Sequence, residues 1–216
     1  MPIVGDTIIV ATRNAGKVRE FTHAFSSLGL TVRSLSDYPN IPDVEEDGET
    51  FLENALKKAK TVAEKLNIPV LADDSGLCVG RLNGEPGVFS ARYAGEHGND
   101  DANNAKLLAA LQALPDCETT TISSSERVHE KWLSPAQFVC ALVLYDPAKK
   151  QAYEAVGTSD GYITDHPRGT NGFGYDPLFY IPSYDRTMAE LTTEEKQRIS
   201  HRGEALRLLR QRLSII

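Results

Sequence analysis

The sequence predicts an α/β fold, because short apolar strands alternate with amphipathic helices near the N-terminus. Over residues 7–72 the predicted order is strand, helix, strand, helix, strand. Hydrophobic residues make up 41% of the 216 residues and charged residues 25%, as is typical of globular proteins. The sequence contains no internal repeat and no long linker, so we expect one domain over residues 1–216.

The first strand is predicted at residues 7–11, a run of β-branched and apolar side chains. A helix follows, with apolar residues on one face between Val18 and Leu28, and Gly29 is expected to end it. Residues 31–35 predict the second strand, which precedes a loop rich in acidic residues.

The second helix has the clearest signal in the chain. Thr50 and Glu53 form a capping box, in which the two side chains satisfy two free N–H groups at the helix start. Apolar residues then recur every three or four positions as far as Leu66. A third strand is predicted at residues 69–72.

The rest of the chain is expected to contain more β-structure. The Asn-Gly pair at residues 83–84 is a hairpin signal, and residues 101–114 predict a helix. Two strands are expected at residues 137–145 and 151–164, and a long structured loop at residues 165–186.

Two helices are expected near the C-terminus. Thr192 and Glu195 form a second capping box, and residues 199–213 predict the last helix. Earlier in the chain, residues 116–136 are polar and rich in Ser and Thr, so we expect a mobile surface insertion there.

Composition excludes several classes of function. The net charge of −7 disfavours a protein that coats nucleic acid, which needs a broad basic surface. The three cysteines form no C-x-x-C pair and the five histidines no H-x-x-x-H pair, so neither a disulfide framework nor a zinc site is expected. The longest apolar run, residues 138–145, is too short to cross a membrane, and the N-terminus lacks the pattern of a signal peptide. We therefore expect a cytoplasmic protein that binds neither membranes nor nucleic acid.

Residues 12–17, TRNAGK, lie between the first strand and the first helix. A helix N-terminus offers free N–H groups and a partial positive charge, to which Asn14 and Lys17 add a donor and a full cation. The segment lacks the first glycine and the hydroxyl residue of a Walker A loop. It is either a phosphate-binding loop or an ordinary turn with a solvated lysine.

Carboxylates occur in two further places. Glu45, Glu46 and Asp47 could bind Mg²⁺, which prefers a few carboxylate oxygens and waters, or could be solvated surface. Asp73 and Asp74 follow the third predicted strand, where open α/β sheets bind their ligands, although Asp-Ser-Gly also forms turns and helix caps. A polyphosphate, its Mg²⁺ ion and a water-activating carboxylate require such a set of loops.

Aromatic and cationic residues near the C-terminus complete the candidate site. Residues 168–177, RGTNGFGYDP, contain three glycines, and either Phe173 or Tyr175 could stack on a nucleobase. A glycine-rich turn with core aromatics is the alternative. His201 and Arg202 open the last helix, where they either reach into a cleft or lie on the surface.

Together these segments resemble the inosine triphosphate pyrophosphatase family of non-canonical purine nucleoside triphosphate hydrolases. The matching blocks follow the family's order over nearly the whole chain: TRNAGKVREF, VEEDGETFLENALKKA, LADDSGL, GEPGVFSARYAG, PRGTNGFGYDPLF, MAELTTEEKQRISHR and the helix after it. The resemblance implies an elongated, mixed, twisted sheet with flanking helices, two lobes around a substrate cleft, and a homodimer. It also implies Mg²⁺-dependent hydrolysis of dITP, ITP and XTP to the monophosphate and pyrophosphate, which cleanses the nucleotide pool.

The resemblance implies roles for individual residues. Asp74 would be the general base and, with Glu45, a ligand of Mg²⁺. The residues that it places around the phosphates are Thr12, Arg13, Asn14, Ala15, Gly16, Lys17, Lys58 and Ser75. The residues that it places around the base are Phe173, Gly174, Tyr175, Asp176, Lys196, His201 and Arg202.

The chain departs from the family at Ser134, where an arginine is usual, and in the length of residues 116–136. We expect both departures to affect the dimer surface or a lobe edge more than the chemistry. Two other functions fit the same blocks: a nucleotide pyrophosphatase of another base preference, such as pyrimidines, and a sensor that binds nucleotides without cleaving them. Four residues argue against the sensor, because they are the ones expected to bind the metal and the phosphates: Glu45, Asp74, Lys17 and Lys58.

Overall fold

The computed structural model describes residues 6–115 and 132–213. The strands are β1 (Thr7–Val10), β2 (Thr31–Ser34), β3 (Val70–Val79), β4 (Trp132–Asp146), β5 (Gln151–Thr164), β6 (Phe179–Ile181) and β7 (Arg186–Thr187). The helices are α1 (Ala15–Ser26), α2 (Phe51–Leu66), α3 (Asp100–Gln112), α4 (Thr193–Ile199) and α5 (His201–Arg212). None of the helices in the described ranges has both the length and the apolar character needed to cross a bilayer.

The strands form one mixed sheet in the order β2-β1-β3-β4-β5-β6-β7. β1 pairs in parallel with β2 and β3, and Ile9 lies opposite Val70. β6 pairs in antiparallel fashion with β5 and β7, and Tyr180 lies opposite Tyr162. The predicted mixed sheet is confirmed.

The chain divides into two compact units. Unit 1 takes the described parts of Met1–Ser75, Val139–Thr158 and Gln197–Ile216, and unit 2 takes those of Gly76–Phe138 and Ser159–Lys196. β3, β4 and β5 each contribute residues to both units, so neither unit is a continuous stretch of chain. One domain over residues 1–216 stays a prediction.

Helices cover both faces of the sheet in unit 1. Successive residues of β1 face opposite sides, so Ile8 packs with Phe21 of α1, whereas Ile9 packs with Ala55 of α2. α5 contributes Leu206 to the same cluster as Ile8. A strand that is buried on both faces has a continuous apolar sequence, which is the pattern that predicted β1.

Local signals in the sequence form the structures that they predict. In the first capping box, Glu53 N donates to Thr50 Oγ1 at 3.2 Å and Thr50 N donates to Glu53 Oε2 at 3.1 Å. Thr192 and Glu195 make the same pair of bonds before α4. Both residues of the turn at 83–84 have positive φ, as an Asn-Gly turn requires.

The third strand is longer than predicted. β3 continues to Val79, so the prediction that Asp73 and Asp74 follow its end is wrong. A charged pair usually ends a buried strand because an uncompensated buried charge is costly. In unit 1 cationic side chains compensate both aspartates, and the small and apolar residues 76–79 extend the strand.

Two predicted loops contain strand residues. Residues 132–136 begin β4 rather than belonging to the predicted insertion at 116–136, because Leu133 and Ala136 are buried. Residues 116–131 lie outside the described residues. In the predicted loop at 165–186, three consecutive buried residues form β6 and Arg186 begins β7.

Candidate active site

The TRNAGK segment joins β1 to α1 and is ordered by its own side chains. Asn14 is the N-cap of α1, and its Oδ1 accepts a hydrogen bond from Lys17 N at 3.0 Å. Thr12 Oγ1 accepts a hydrogen bond from Asn14 N at 3.1 Å. Ala15 and Gly16 therefore lie in the first turn of a capped helix, where the partial positive charge of the helix favours an anion.

Asp73 lies fully buried between two cations. The Lys17 ammonium pairs with its Oδ1, and Arg202 donates to its Oδ2 from Nε at 3.0 Å and from Nη2 at 2.9 Å. The Cys140 thiol is 3.2 Å from the same oxygen. Burial acts to raise the pKa of Asp73, but Arg202 and Lys17 outweigh it and hold that pKa well below its usual range. Asp73 is therefore an anion at neutral pH, and it pairs with Lys17.

Arg202 connects three elements of unit 1. It begins α5 with His201, and it pairs with Asp73 of β3 and with Glu20 of α1. Its Nη2 also donates to Ser75 Oγ at 2.9 Å. Both residues at the start of α5 are buried, so the alternative that they lie on the surface is wrong.

Asp74, the next residue of β3, is held through both carboxylate oxygens. Asn54 Nδ2 donates to its Oδ2 at 3.1 Å, and Lys58 Nζ lies 3.4 Å from its Oδ1. Asn54 Oδ1 in turn accepts from Gly48 N at 2.8 Å, and Lys58 Nζ lies 2.7 Å from Glu46 Oε1. One helix, α2, thus connects the carboxylate of β3 to the acidic loop.

Burial changes the protonation chemistry of this pair. Desolvation raises the pKa of Asp74, and the nearby cations Lys58 and Lys17 offset only part of that rise. For Lys58, desolvation acts to lower the pKa, but attraction to Asp74 and Glu46 exceeds it, so the pKa lies above the usual lysine value. A carboxylate with a raised pKa beside a fixed cation is suited to accept a proton from water.

The acidic loop divides into parts with different surroundings. Arg13 Nε pairs with Asp43 Oδ1 at 2.8 Å, and the half-buried Lys57 pairs with the exposed Asp47. Glu45 is exposed and makes no hydrogen bond or ion pair with the described part of the chain. In residues 6–115 and 132–213, no three His, Cys, Asp or Glu side chains are grouped so that they could hold a metal ion.

The predicted base-contacting segment lies in unit 2 with Lys196. Asp176 is buried, and its Oδ2 accepts from Phe173 N at 2.8 Å and from Lys196 Nζ at 2.5 Å. The Lys196 ammonium also lies 4.8 Å from the centre of the Phe173 ring. Tyr175 is buried and donates to Ser90 O at 2.8 Å, so it is a core residue, whereas Phe173 is only half-buried.

Sequence reasoning missed two residues of the unit 1 network, Asn54 and Glu20. Asn54 and Lys58 are four residues apart on α2, and a buried amide on an apolar helix face was an available signal. Glu20 follows Lys17 by one helical turn, which gives a weaker signal. The partnership of Asp73 with Arg202 joins residues 129 positions apart, and no local pattern could predict it.

Known proteins resemble the chain over nearly its whole length. A model of the Ham1 family matches residues 8–212. A dITP/XTP pyrophosphatase of Geobacter sulfurreducens is 50% identical over 206 residues, which are 95% of this chain and 96% of that protein. One of Halalkalibacterium halodurans is 50% identical over 202 residues, or 93% and 95% of the two chains. The Ham1 protein of Staphylococcus aureus has a TM-score of 0.76 at 43% identity, covering 96% of this chain and 98% of that one. The resemblance found in the sequence is confirmed, and the chain belongs to the Ham1 family.

Proposed function

We propose that the chain hydrolyses dITP, XTP and ITP, non-canonical purine nucleoside triphosphates, to the monophosphate and pyrophosphate. The observation that carries this proposal is the fixed carboxylate of Asp74, held by Asn54 and Lys58 in the same unit as the capped phosphate loop. The dITP/XTP pyrophosphatases at 50% identity support the same reaction and substrate class.

The residues of unit 1 divide the work between binding and proton transfer. The first turn of α1 and the Lys17 and Lys58 ammonium groups bind phosphate oxygens. Asp74 accepts a proton from a water molecule, whose oxygen forms a bond to the α-phosphorus. The bond from that phosphorus to the bridging oxygen breaks, and pyrophosphate leaves with the electron pair. Positioned general-base catalysis of this kind contributes about 10²–10⁴-fold to the rate.

The donor set of unit 1 fits Mg²⁺. The Lys58 ammonium already lies between Glu46 and Asp74, so these two carboxylates share a cation. The network contains three cations and four carboxylates, which leaves a net charge of −1 where we propose that the polyphosphate binds. The cations are Lys17, Lys58 and Arg202, and the carboxylates are Glu20, Glu46, Asp73 and Asp74.

Asp74 with Glu45 or Glu46 would hold the ion, since Mg²⁺ takes one or two carboxylates and completes its shell with waters and substrate phosphates. When bound, Mg²⁺ neutralises the charge of the phosphate oxygens. The lysines and the α1 N-terminus still bind the phosphates, and Asp74 still accepts the proton.

For the base, we propose that Phe173 stacks on the purine ring and that His201 donates to its 6-oxo group, because Arg202 is engaged by Asp73, Glu20 and Ser75. Adenine carries a 6-amino donor instead, which would leave the His201 donor unmatched. Sites that read such a polar group discriminate by about 10⁴–10⁵-fold. Guanine also has the 6-oxo group, so we assign its rejection to its 2-amino group. We further propose that the protein forms a homodimer and acts in the cytoplasm.

A nucleotide panel tests the proposed function. Pyrophosphate release is measured for dITP, XTP, ITP, dATP, dGTP and dCTP, with and without Mg²⁺. We expect release from the first three only in the presence of Mg²⁺. Equal turnover of dITP and dATP would refute the base preference. Faster release from dCTP would favour a pyrophosphatase of pyrimidine nucleotides, and tight binding without release would favour the sensor.

A further inference from the structure

Two side chains of α3 hold both backbone groups of a single residue, Gly174. Asp100 Oδ2 accepts a hydrogen bond from Gly174 N at 2.7 Å, and Asn104 Nδ2 donates to Gly174 O at 2.9 Å. The two side chains are four residues apart, so they lie on one face of the helix. Gly174 has a φ of 63°, a backbone conformation that favours glycine.

These bonds fix the peptide groups on both sides of Gly174. Its N–H belongs to the peptide bond with Phe173, and its C=O belongs to the peptide bond with Tyr175. Tyr175 is anchored separately, because it is buried and donates to Ser90 O. The backbone of the half-buried Phe173 is held by α3 through Gly174 and by its own N–H bond to Asp176, and its ring also contacts the Lys196 ammonium.

The contact with Gly174 O fixes the orientation of the Asn104 amide. Its Oδ1 is buried without a hydrogen-bond partner in the described part of the chain. The reverse orientation of the amide would place that oxygen against Gly174 O, with two acceptors facing each other. Native proteins retain few such buried unsatisfied atoms, and each needs an explanation.

We propose that Asp100 and Asn104 are positioning residues for segment 173–176 and thereby help to set the base preference. By holding Gly174, they fix the backbone from which the Phe173 ring extends, and the purine stacks on that ring. This inference rests on the function proposed above. The two side chains hold the base-contacting segment and lie outside the phosphate network of unit 1, so their loss is expected to weaken binding of the base while phosphate binding stays unchanged.

The test compares Asp100→Ala with Asp101→Ala. Both substitutions remove a carboxylate from the first turn of α3, so they change the helix N-terminus alike. Asp101 is exposed and makes no hydrogen bond or ion pair to the described residues, which makes it the matched control. Asp100→Asn keeps an acceptor for Gly174 N and is the conservative variant.

Two ligands separate the base from the phosphates. We expect Asp100→Ala to weaken dIMP binding in calorimetry about tenfold, because a charged hydrogen bond is lost, and to change pyrophosphate affinity less than about twofold. The ratio of kcat/KM for dITP over dATP is expected to fall by a similar factor, through KM. Asp101→Ala is expected to behave as the wild type, and Asp100→Asn to recover most of the affinity.

Other outcomes would overturn the inference. Unchanged dIMP binding in Asp100→Ala, or an equal loss of dIMP and pyrophosphate affinity, contradicts a positioning role. Asn104→Leu, which removes only the donor to Gly174 O, gives the same readout if Asp100→Ala does not fold. A wild type that binds dIMP without hydrolysing dITP refutes the proposed activity while the dIMP comparison still decides this inference. A wild type that binds no dIMP refutes this inference, while pyrophosphate release from dITP still decides the proposed activity.

Discussion

Removing the charge of Asp73 tests the buried ion network most sharply. Asp73→Asn keeps the size and shape of the side chain, and its amide oxygen can still accept one hydrogen bond. The negative charge between Lys17 and Arg202 is lost, however, where the side chain of Arg202 is buried and that of Lys17 is only 14% exposed. The substitution therefore isolates the electrostatic contribution of this carboxylate.

The expected loss of stability is large. Breaking a buried ion pair by neutralising one partner costs about 3–5 kcal/mol, because the other charge loses its buried counter-ion. Arg202 keeps its second pair, with Glu20. For a chain of this length, each kcal/mol lowers the melting temperature by about 2–4 °C, so Tm is expected to fall by about 6–20 °C. Asp43→Asn is the control, because Asp43 pairs with Arg13 at the exposed surface and such a pair contributes about 0–1 kcal/mol.

Chemical denaturation at several pH values is the assay. The pKa of Asp73 in the folded protein lies below the value of about 3.9 for an unfolded aspartate, so its stabilising contribution is fully present above that value. The contribution is lost as the pH falls from there through the folded pKa. The stability difference between wild type and Asp73→Asn is therefore expected to be constant near pH 7 and to shrink below about pH 4. A loss at pH 7 no larger than that of Asp43→Asn would refute this reasoning.

Two further predictions concern Asn54 and Gly157. Asn54→Leu removes the donor to Asp74 and leaves Gly48 N unpaired. Turnover of dITP is therefore expected to fall at least about tenfold, and the free energy of unfolding by about 2–4 kcal/mol. An active and stable variant would contradict the role of Asn54 as a bridge between Gly48 and Asp74. Gly157→Ala would place a Cβ 2.3 Å from backbone atoms of α5, so thermal unfolding is expected to show a loss above about 2 kcal/mol. Gly29→Ala is the control, because its Cβ would meet no atom within 4 Å and its positive φ alone is expected to cost about 1 kcal/mol. Equal losses of stability in the two alanine variants would contradict the close approach of Gly157 to α5.

Features of the fold that depend on local chemistry could be predicted from the sequence. The two capping boxes involve residues three positions apart, and both form as expected. The alternation of apolar strands and helices predicted the α/β class. The strand β1 could be recognised as a continuous apolar run because it is buried on both faces.

Features that depend on distant partners could not be predicted. β3 passes through Asp73 because Arg202 compensates its charge, and the two residues are 129 positions apart. The Glu20–Arg202 pair spans 182 positions. The sequence could suggest that Asp73 and Asp74 are both functional residues. Only the contacts show that their roles differ, since Asp73 pairs with cations whereas Asp74 is positioned by Asn54.

The same limit applies to the aromatic residues of unit 2. Phe173 and Tyr175 were equivalent candidates for stacking because their sequence surroundings are alike. Their burial differs, since the hydroxyl of Tyr175 bonds to Ser90 O inside unit 2 while Phe173 stays half-buried. Only the packing around each ring distinguishes the two.

The central claim is that Asp74 accepts the proton of the attacking water, and its direct test is pyrophosphate release from dITP by the purified wild type and Asp74→Asn. With Mg²⁺ present, we expect the variant to lose at least about two orders of magnitude in kcat while circular dichroism shows an unchanged fold. An Asp74→Asn protein that releases pyrophosphate nearly as fast as the wild type would contradict the account.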